Sequence, residues 1–141
     1  MPPETQTARD RFEETLDALN NRDFDRFAAT HADDVVLHDH DETHRGVEAA
    51  IDQERRLFEA FPDMRYDLES VVAEGDQVSA RWTVTGTHEG TFQGIPPTGE
   101  EVTIQAMGIM TSGAEGFTEV WLVFDRLGLL EQLGAIEAST A

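Results

Sequence analysis

The feature that most constrains this chain is a change of hydrophobic period near Pro62-Asp63. Before that point most apolar residues recur at helical spacing; after it they alternate. Phe12, Leu16 and Leu19 share one face of a helix predicted from about Thr7 to Asn20. Glu13, Glu14 and Asp17 fall outside, and Thr7 is a candidate N-cap. Asn20-Asn21-Arg22 breaks the pattern, and Asp23 can cap a short second helix holding Phe24, Phe27 and Ala28. The β-branched run from Val35 to His40 predicts a short strand. A polar turn follows, and Gly46 leads into a third helix whose buried side is Val47, Ile51, Leu57, Phe58 and Phe61. Pro62 ends it.

The remainder predicts β structure. Met64, Tyr66, Leu68 and Ser70 alternate with Arg65, Asp67 and Glu69, and Glu74-Gly75-Asp76 is a turn. Val78, Ala80, Trp82 and Val84 form one face of a long strand reaching His88, opposite Ser79, Arg81, Thr83 and Thr85. Gly94-Ile-Pro-Pro-Thr-Gly99 is a rigid loop, with no lysine and no following helix to make it a phosphate loop. Strands follow from Glu101 to Thr111 and from Phe117 to Asp125, joined by a turn at Ser112–Gly116. Helices first and antiparallel strands afterwards give an α+β domain, in which three helices on a curved sheet can enclose a pocket.

The chain of 141 residues fits one domain, with residues 1–6 and about 135–141 expected to be flexible. There is no cysteine, which excludes disulfides and thiol chemistry. No apolar run is long enough for a membrane span and the start does not read as a signal peptide, so a cytoplasmic location is expected. The net charge is −19, and all ten basic residues are arginines. Such a charge repels nucleic acid and anionic membrane surfaces, so neither is expected as a partner. An acidic coat without lysine suits a salt-rich, halophilic cytoplasm, where the screening length falls to about 3 Å in molar salt.

The stretch from Phe117 to Gly134 is the most organised. Alternation puts Val120, Leu122 and Phe124 on one face, a plain core stripe. Glu119, Trp121, Val123 and Asp125 share the other, a mixture that predicts the wall of a partly apolar cavity. The leucines from Leu127 to Leu133 predict a lid edge or a segment docked on the sheet.

Several pieces in this order carry a resemblance. They are Asn21-Arg-Asp-Phe24, His38 after Val35-Val36, Gly46-Val-Glu-Ala-Ala-Ile51 and Ala60-Phe-Pro-Asp63. Glu74-Gly-Asp-Gln-Val78, Gly86-Thr-His88 with Gly90, and Gly94-Ile-Pro-Pro-Thr-Gly99 come next. Glu119-x-Trp121-x-x-x-Asp125-x-x-Gly128-Leu129 with Gln132-Leu-Gly134 closes the series. With them the chain resembles the SnoaL-like polyketide cyclases and their ester cyclase relatives, within the nuclear-transport-factor-like (NTF2-like) superfamily. The resemblance implies a cone-shaped α+β barrel, a homodimer formed through the sheet and a deep apolar pocket for a hydrophobic small molecule. It implies neither a metal nor an organic cofactor. In the family an aspartate near the end of a late strand is the acid/base of an intramolecular aldol closure, and Asp125 matches that position.

A carboxylate in an apolar pocket suits such chemistry, because burial raises its basicity. Asp125 is therefore the candidate catalytic group; the alternative is a carboxylate paired with Arg126 or capping the following helical turn. Glu119 lies about 20 Å away along an extended strand, too far to share a reacting centre, and is expected at a rim. His38 is a candidate for orienting a carbonyl, with a core histidine as the alternative. Trp121, Gln105, Met107, Trp82 and His88 are expected to contact substrate. His38, Asp39, His40, Asp41 and His44 offer ligand-type side chains, but no third ligand is fixed by spacing, so no metal site is expected. Competing readings are a non-catalytic dimeric binder of a hydrophobic ligand, and an epoxide hydrolase or ketosteroid-isomerase-like enzyme. The latter would need a tyrosine in its oxyanion hole, and the chain's single tyrosine is Tyr66.

Overall fold

The computed structural model describes residues 3–39 and 42–136. Its elements in order are helices α1 (Pro3–Asn20) and α2 (Phe24–Ala29), strands β1 (His31–Asp39) and β2 (Glu42–Arg45), and helix α3 (Val47–Ala60). Strands β3 (Arg65–Glu74), β4 (Gln77–Thr87), β5 (Glu101–Ser112) and β6 (Phe117–Phe124) follow, and helix α4 (Arg126–Gln132) closes the chain. The expected α+β architecture is present. The strands form one six-stranded sheet in the order β2-β1-β6-β5-β4-β3, with β2 and β3 as its two edges.

Three features depart from the expected strands. β1 pairs with β6 in parallel, with Leu37 beside Val120 and His38 beside Trp121. The expected polar turn after His40 contains β2, antiparallel to β1. β1 also begins earlier than Val35, because His31 pairs with Phe117 and the Phe117 amide donates to the Thr30 carbonyl at 2.9 Å.

The helices sit on one face of the sheet for reasons local to each. α1 buries Ala8, Phe12, Leu16 and Leu19, residues at helical spacing, and its Phe12 ring lies 5.3 Å from that of Trp82 on β4. The Asp23 side chain caps α2 by accepting from the Arg26 amide at 3.1 Å. Gly46, the residue before α3, has φ of 92°, which glycine adopts at little cost. α3 then buries Val47, Ala50, Ile51 and Ala60. Asn20, the last residue of α1, bonds both the Tyr66 amide and the Tyr66 carbonyl at 2.8 Å. That pair of bonds fixes the end of α1 to the start of β3.

Alternation separates the faces of β5, and of β6 from Glu119 onward, past a register irregularity that leaves Phe117 buried as well. Val102, Ile104, Ala106, Met110, Phe117 and Val120 are buried beneath the helices. Met107, Ile109, Trp121 and Val123 are about half exposed, at 51, 49, 54 and 56%. The apolar tail is helix α4, docked on β5: Gln132 accepts from the Thr103 amide at 2.8 Å and donates to its carbonyl at 2.9 Å. Leu129 and Leu133 are buried beneath it.

Candidate functional site

Between the helices and the inner face of the sheet lies a cavity of about 140 Å3. That is room for on the order of ten waters. Its wall is largely apolar, including Leu16, Phe61, Trp82, Val84, Ile104 and Phe124. No arginine lines it, and the sequence holds no lysine.

Among the described residues, Asp39, Gln53, Glu54 and Tyr66 bring polar side chains to that wall near the end of β1. Asp39 is the last residue of β1, Gln53 and Glu54 lie on α3, and Tyr66 is the second residue of β3. The Tyr66 hydroxyl donates to Glu54 Oε2 at 2.6 Å, and Gln53 Nε2 donates to Asp39 Oδ2 at 2.7 Å. Tyr66 is buried; Glu54 is half-buried as a residue, but its carboxyl is drawn in onto the hydroxyl. Desolvation pushes the Glu54 carboxyl from its ordinary 4.5 up to about 7; the nearby Asp39 charge adds to the rise and the Tyr66 hydrogen bond opposes it. Burial, and then the Glu54 charge, hold the Tyr66 hydroxyl well above its ordinary value, so it stays protonated. An acid that titrates near neutrality in an apolar cavity can both take and return a proton.

A second polar group lines the same cavity at the opposite end of β1. His31 is buried, and its Nδ1 lies 2.9 Å from the Phe27 carbonyl oxygen. A carbonyl only accepts, so Nδ1 carries the proton. Burial lowers the pKa of this imidazole, which keeps it neutral.

Most of the residues expected at the site stand elsewhere. Trp82 does line the cavity. Trp121, Met107 and Gln105 do not: they lie on the outer face of the sheet, where the first two are half exposed and Gln105 bonds Thr83 and Arg81. The expected cavity wall on the Trp121 face of β6 is thus corrected, because the helices cover the opposite face. Val120, Leu122 and Phe124 line the cavity; Val123 borders it but is more than half exposed. His38 shares the outer face. Its Nε2 lies 3.0 Å from Glu119 Oε2, and its ring stacks on Trp121 at 3.7 Å. The hydrogen bond to His38 holds the Glu119 carboxyl below its ordinary range.

Asp125 is exposed and caps α4, accepting from the Gly128 amide at 2.8 Å, as the capping alternative has it. His88 is fully buried but outside the cavity wall; its Nδ1 accepts from the Thr98 amide at 3.2 Å and pins the Gly94–Gly99 loop. Among the described residues no three His, Asp or Glu side chains gather as a metal-binding set. Of the ligand-type run after Leu37, His40 and Asp41 lie outside the described residues, and His44 sits 3.4 Å from Glu42.

Glu54 and Tyr66 were readable and were missed as a pair. Glu54 lies three residues after Ile51 and four before Phe58, inside the apolar stripe of α3. Tyr66 alternates with Met64 and Leu68 on the inward face of β3, and Asp39 continues the inward series Val35, Leu37.

Comparison with known proteins agrees with this fold. The family model for SnoaL-like polyketide cyclase matches residues 8–133, so the chain belongs to the SnoaL-like polyketide cyclase family. TsrD from Streptomyces laurentii is similar in structure, with a TM-score of 0.85 at 27% identity over 93% of this chain and 97% of that one. A SnoaL-like polyketide cyclase from Agrobacterium tumefaciens gives 0.77 at 25% identity, over 90% and 98%. An LEH-like epoxide hydrolase from Mycobacterium tuberculosis gives 0.75 at 22% identity, over 94% and 93%, a likeness of fold alone. No curated protein matches the chain.

Proposed function

We propose that the protein is a SnoaL-type enzyme that moves a proton on a hydrophobic carbonyl compound held in the cavity, with Glu54 as the acid/base. The observation that carries this reading is the Glu54 carboxyl. It is desolvated in an apolar wall, hydrogen-bonded to Tyr66 at 2.6 Å and titrates at about 7. In the step envisaged, Glu54 takes a proton from the carbon beside the carbonyl, and the C–H electron pair passes into an enolate. With Glu54 neutral, the Tyr66 hydroxyl can turn to the enolate oxygen. Glu54 then returns its proton to a different carbon, an isomerisation, or to the acceptor oxygen as the enolate carbon closes a ring, a cyclisation. Asp125 and His38 have no part in this scheme, since one caps a helix and the other lies behind the sheet.

The test is exchange of the α-hydrogens of 1-tetralone in D2O, followed by NMR above the buffer rate. Glu54→Gln should return exchange to background, while Asp125→Asn, which preserves the cap, should keep it. Exchange that survives Glu54→Gln would exclude the assignment. A non-catalytic binder is the alternative, supported by the largely apolar wall, and predicts binding of the ketone with no exchange above buffer. The epoxide hydrolase reading draws on the two acids and the amide, which could orient a water.

We also propose that the outer face of the sheet packs on a second copy. Met107 pairs with Val123 and Ile109 with Trp121 in register, so four half-exposed apolar side chains form one patch on adjacent strands.

A further inference from the structure

We infer that His31 is a second ligand-contacting group in the cavity, accepting through Nε2 a hydrogen bond from a ligand hydroxyl. The inference rests on the reading of the cavity as a ligand site, and adds to it the chemical class of the ligand. His31 is 92% buried, being only 8% exposed, and lines the cavity. Its ring lies 4.5 Å from that of Phe27 and 5.7 Å from that of Phe117. Nδ1 is committed: the Phe27 carbonyl at 2.9 Å and the Thr30 hydroxyl oxygen at 3.0 Å both lie within its reach. Thr30 sends its own proton to the Phe27 carbonyl at 2.8 Å, so it can only accept from the imidazole. The tautomer is therefore fixed by the Phe27 carbonyl and the Thr30 hydroxyl, and Nε2 keeps a bare lone pair. No other hydrogen-bonding group among the described residues engages Nε2.

An acceptor that opens onto a largely apolar cavity is costly when nothing donates to it. A ligand hydroxyl or N–H placed there offsets that cost; an ether or a methyl group does not. The rest of the wall narrows the class further. Asp39 and Glu54 are acids, and among the described residues no arginine lines the cavity, while the sequence holds no lysine. A ligand carboxylate or phosphate would meet no countercharge and would be repelled. His31 starts β1 and Asp39 ends it, so the two polar regions stand at opposite ends of one strand. The ligand class is thus an uncharged, apolar molecule that carries a hydroxyl, and eight strand residues, about 26 Å of extended chain, separate that hydroxyl's partner from Asp39.

The probes are 6-hydroxy-1-tetralone, 6-methoxy-1-tetralone and 1-tetralone, titrated by calorimetry near pH 6.5, where the phenol is neutral. One hydrogen bond of roughly 1–1.5 kcal/mol predicts that the hydroxy compound binds on the order of tenfold tighter than the methoxy one. In His31→Phe that preference should vanish while 1-tetralone still binds. Because that variant could lose the Phe27 bond and fold poorly, the wild-type protein is also measured by 15N NMR of its histidines. The bare Nε2 resonance of His31 should shift with the hydroxy compound and not with the methoxy one. Equal binding of the two, an unmoved Nε2, or no binding of any of the three overturns the inference. Its failure is distinguishable from failure of the proton-transfer reading. Loss of hydroxyl preference with exchange still dependent on Glu54 removes only His31. A retained preference with exchange independent of Glu54 removes only the acid/base assignment.

Discussion

Replacing Glu54 by glutamine should make the protein more stable at alkaline pH, and by an amount set by the site. The folded-state carboxyl titrates at about 7 against an ordinary 4.5. A pKa raised on folding favours the folded state below about 4.5, where the group is protonated in both states. That advantage is lost as pH rises through the folded midpoint, because the charged form must be held in the apolar wall. The difference between the two midpoints corresponds to about 3 kcal/mol. Glutamine cannot ionise, yet its amide oxygen can still accept from Tyr66. The stability difference, Glu54→Gln minus wild type, should therefore rise by about 3 kcal/mol between pH 4.5 and pH 8. Urea unfolding at fixed high KCl measures it; comparing the difference across pH cancels any packing cost of the amide. A difference that stays flat with pH would refute a desolvated Glu54. An acid that costs the fold stability is expected where function requires it.

Asp125→Ala should lose about 1 kcal/mol of stability through the missing cap and keep its exchange activity, with thermal unfolding and tetralone exchange as the two readouts. The acidic coat of net charge −19 should make stability depend on salt. Raising KCl from 0.1 to 2 M should lift Tm by at least about 4 °C, the shift that roughly 1 kcal/mol gives a domain of this size; calorimetry showing no change would remove the proposal of a salt-adapted protein. Ile109→Arg, placed in the centre of the outer patch, should convert a dimer to a monomer in sedimentation equilibrium without altering the inner cavity.

The periodicity of the chain carried the element types because each reports a local choice. Helical spacing of Phe12, Leu16 and Leu19 gave α1, and alternation gave β3 through β6. Alternation also separated the two faces of β6 correctly. It did not say which face the helices cover, since that is decided by contacts between residues far apart in sequence. Trp121 and Val123 beside two acids imitate a cavity wall, and an exposed apolar patch on a sheet reads the same way. The parallel β1–β6 pairing was hidden for a similar reason, as it joins residues about eighty positions apart. Asp125 looked buried because it ends an apolar strand, but the turn into α4 carries it to the surface, where the Gly128 amide takes it up. Glu54 was obscured by its setting among Asp52, Gln53, Arg55 and Arg56. Only its phase against Ile51 and Phe58 marks it as inward. Its hydrogen-bond partner, Tyr66, lies on a strand twelve residues later.

The central claim is that Glu54 is a carboxyl that titrates near neutrality inside the cavity. Difference infrared spectroscopy of wild type against Glu54→Gln measures this directly, by following the C=O stretch of one protonated carboxyl with pH. The predicted result is a band lost with a midpoint near 7. In Tyr66→Phe that midpoint should move higher, because the hydroxyl that favours the charged form is gone. A midpoint between about 4 and 5, as for an ordinary glutamate, would contradict the account.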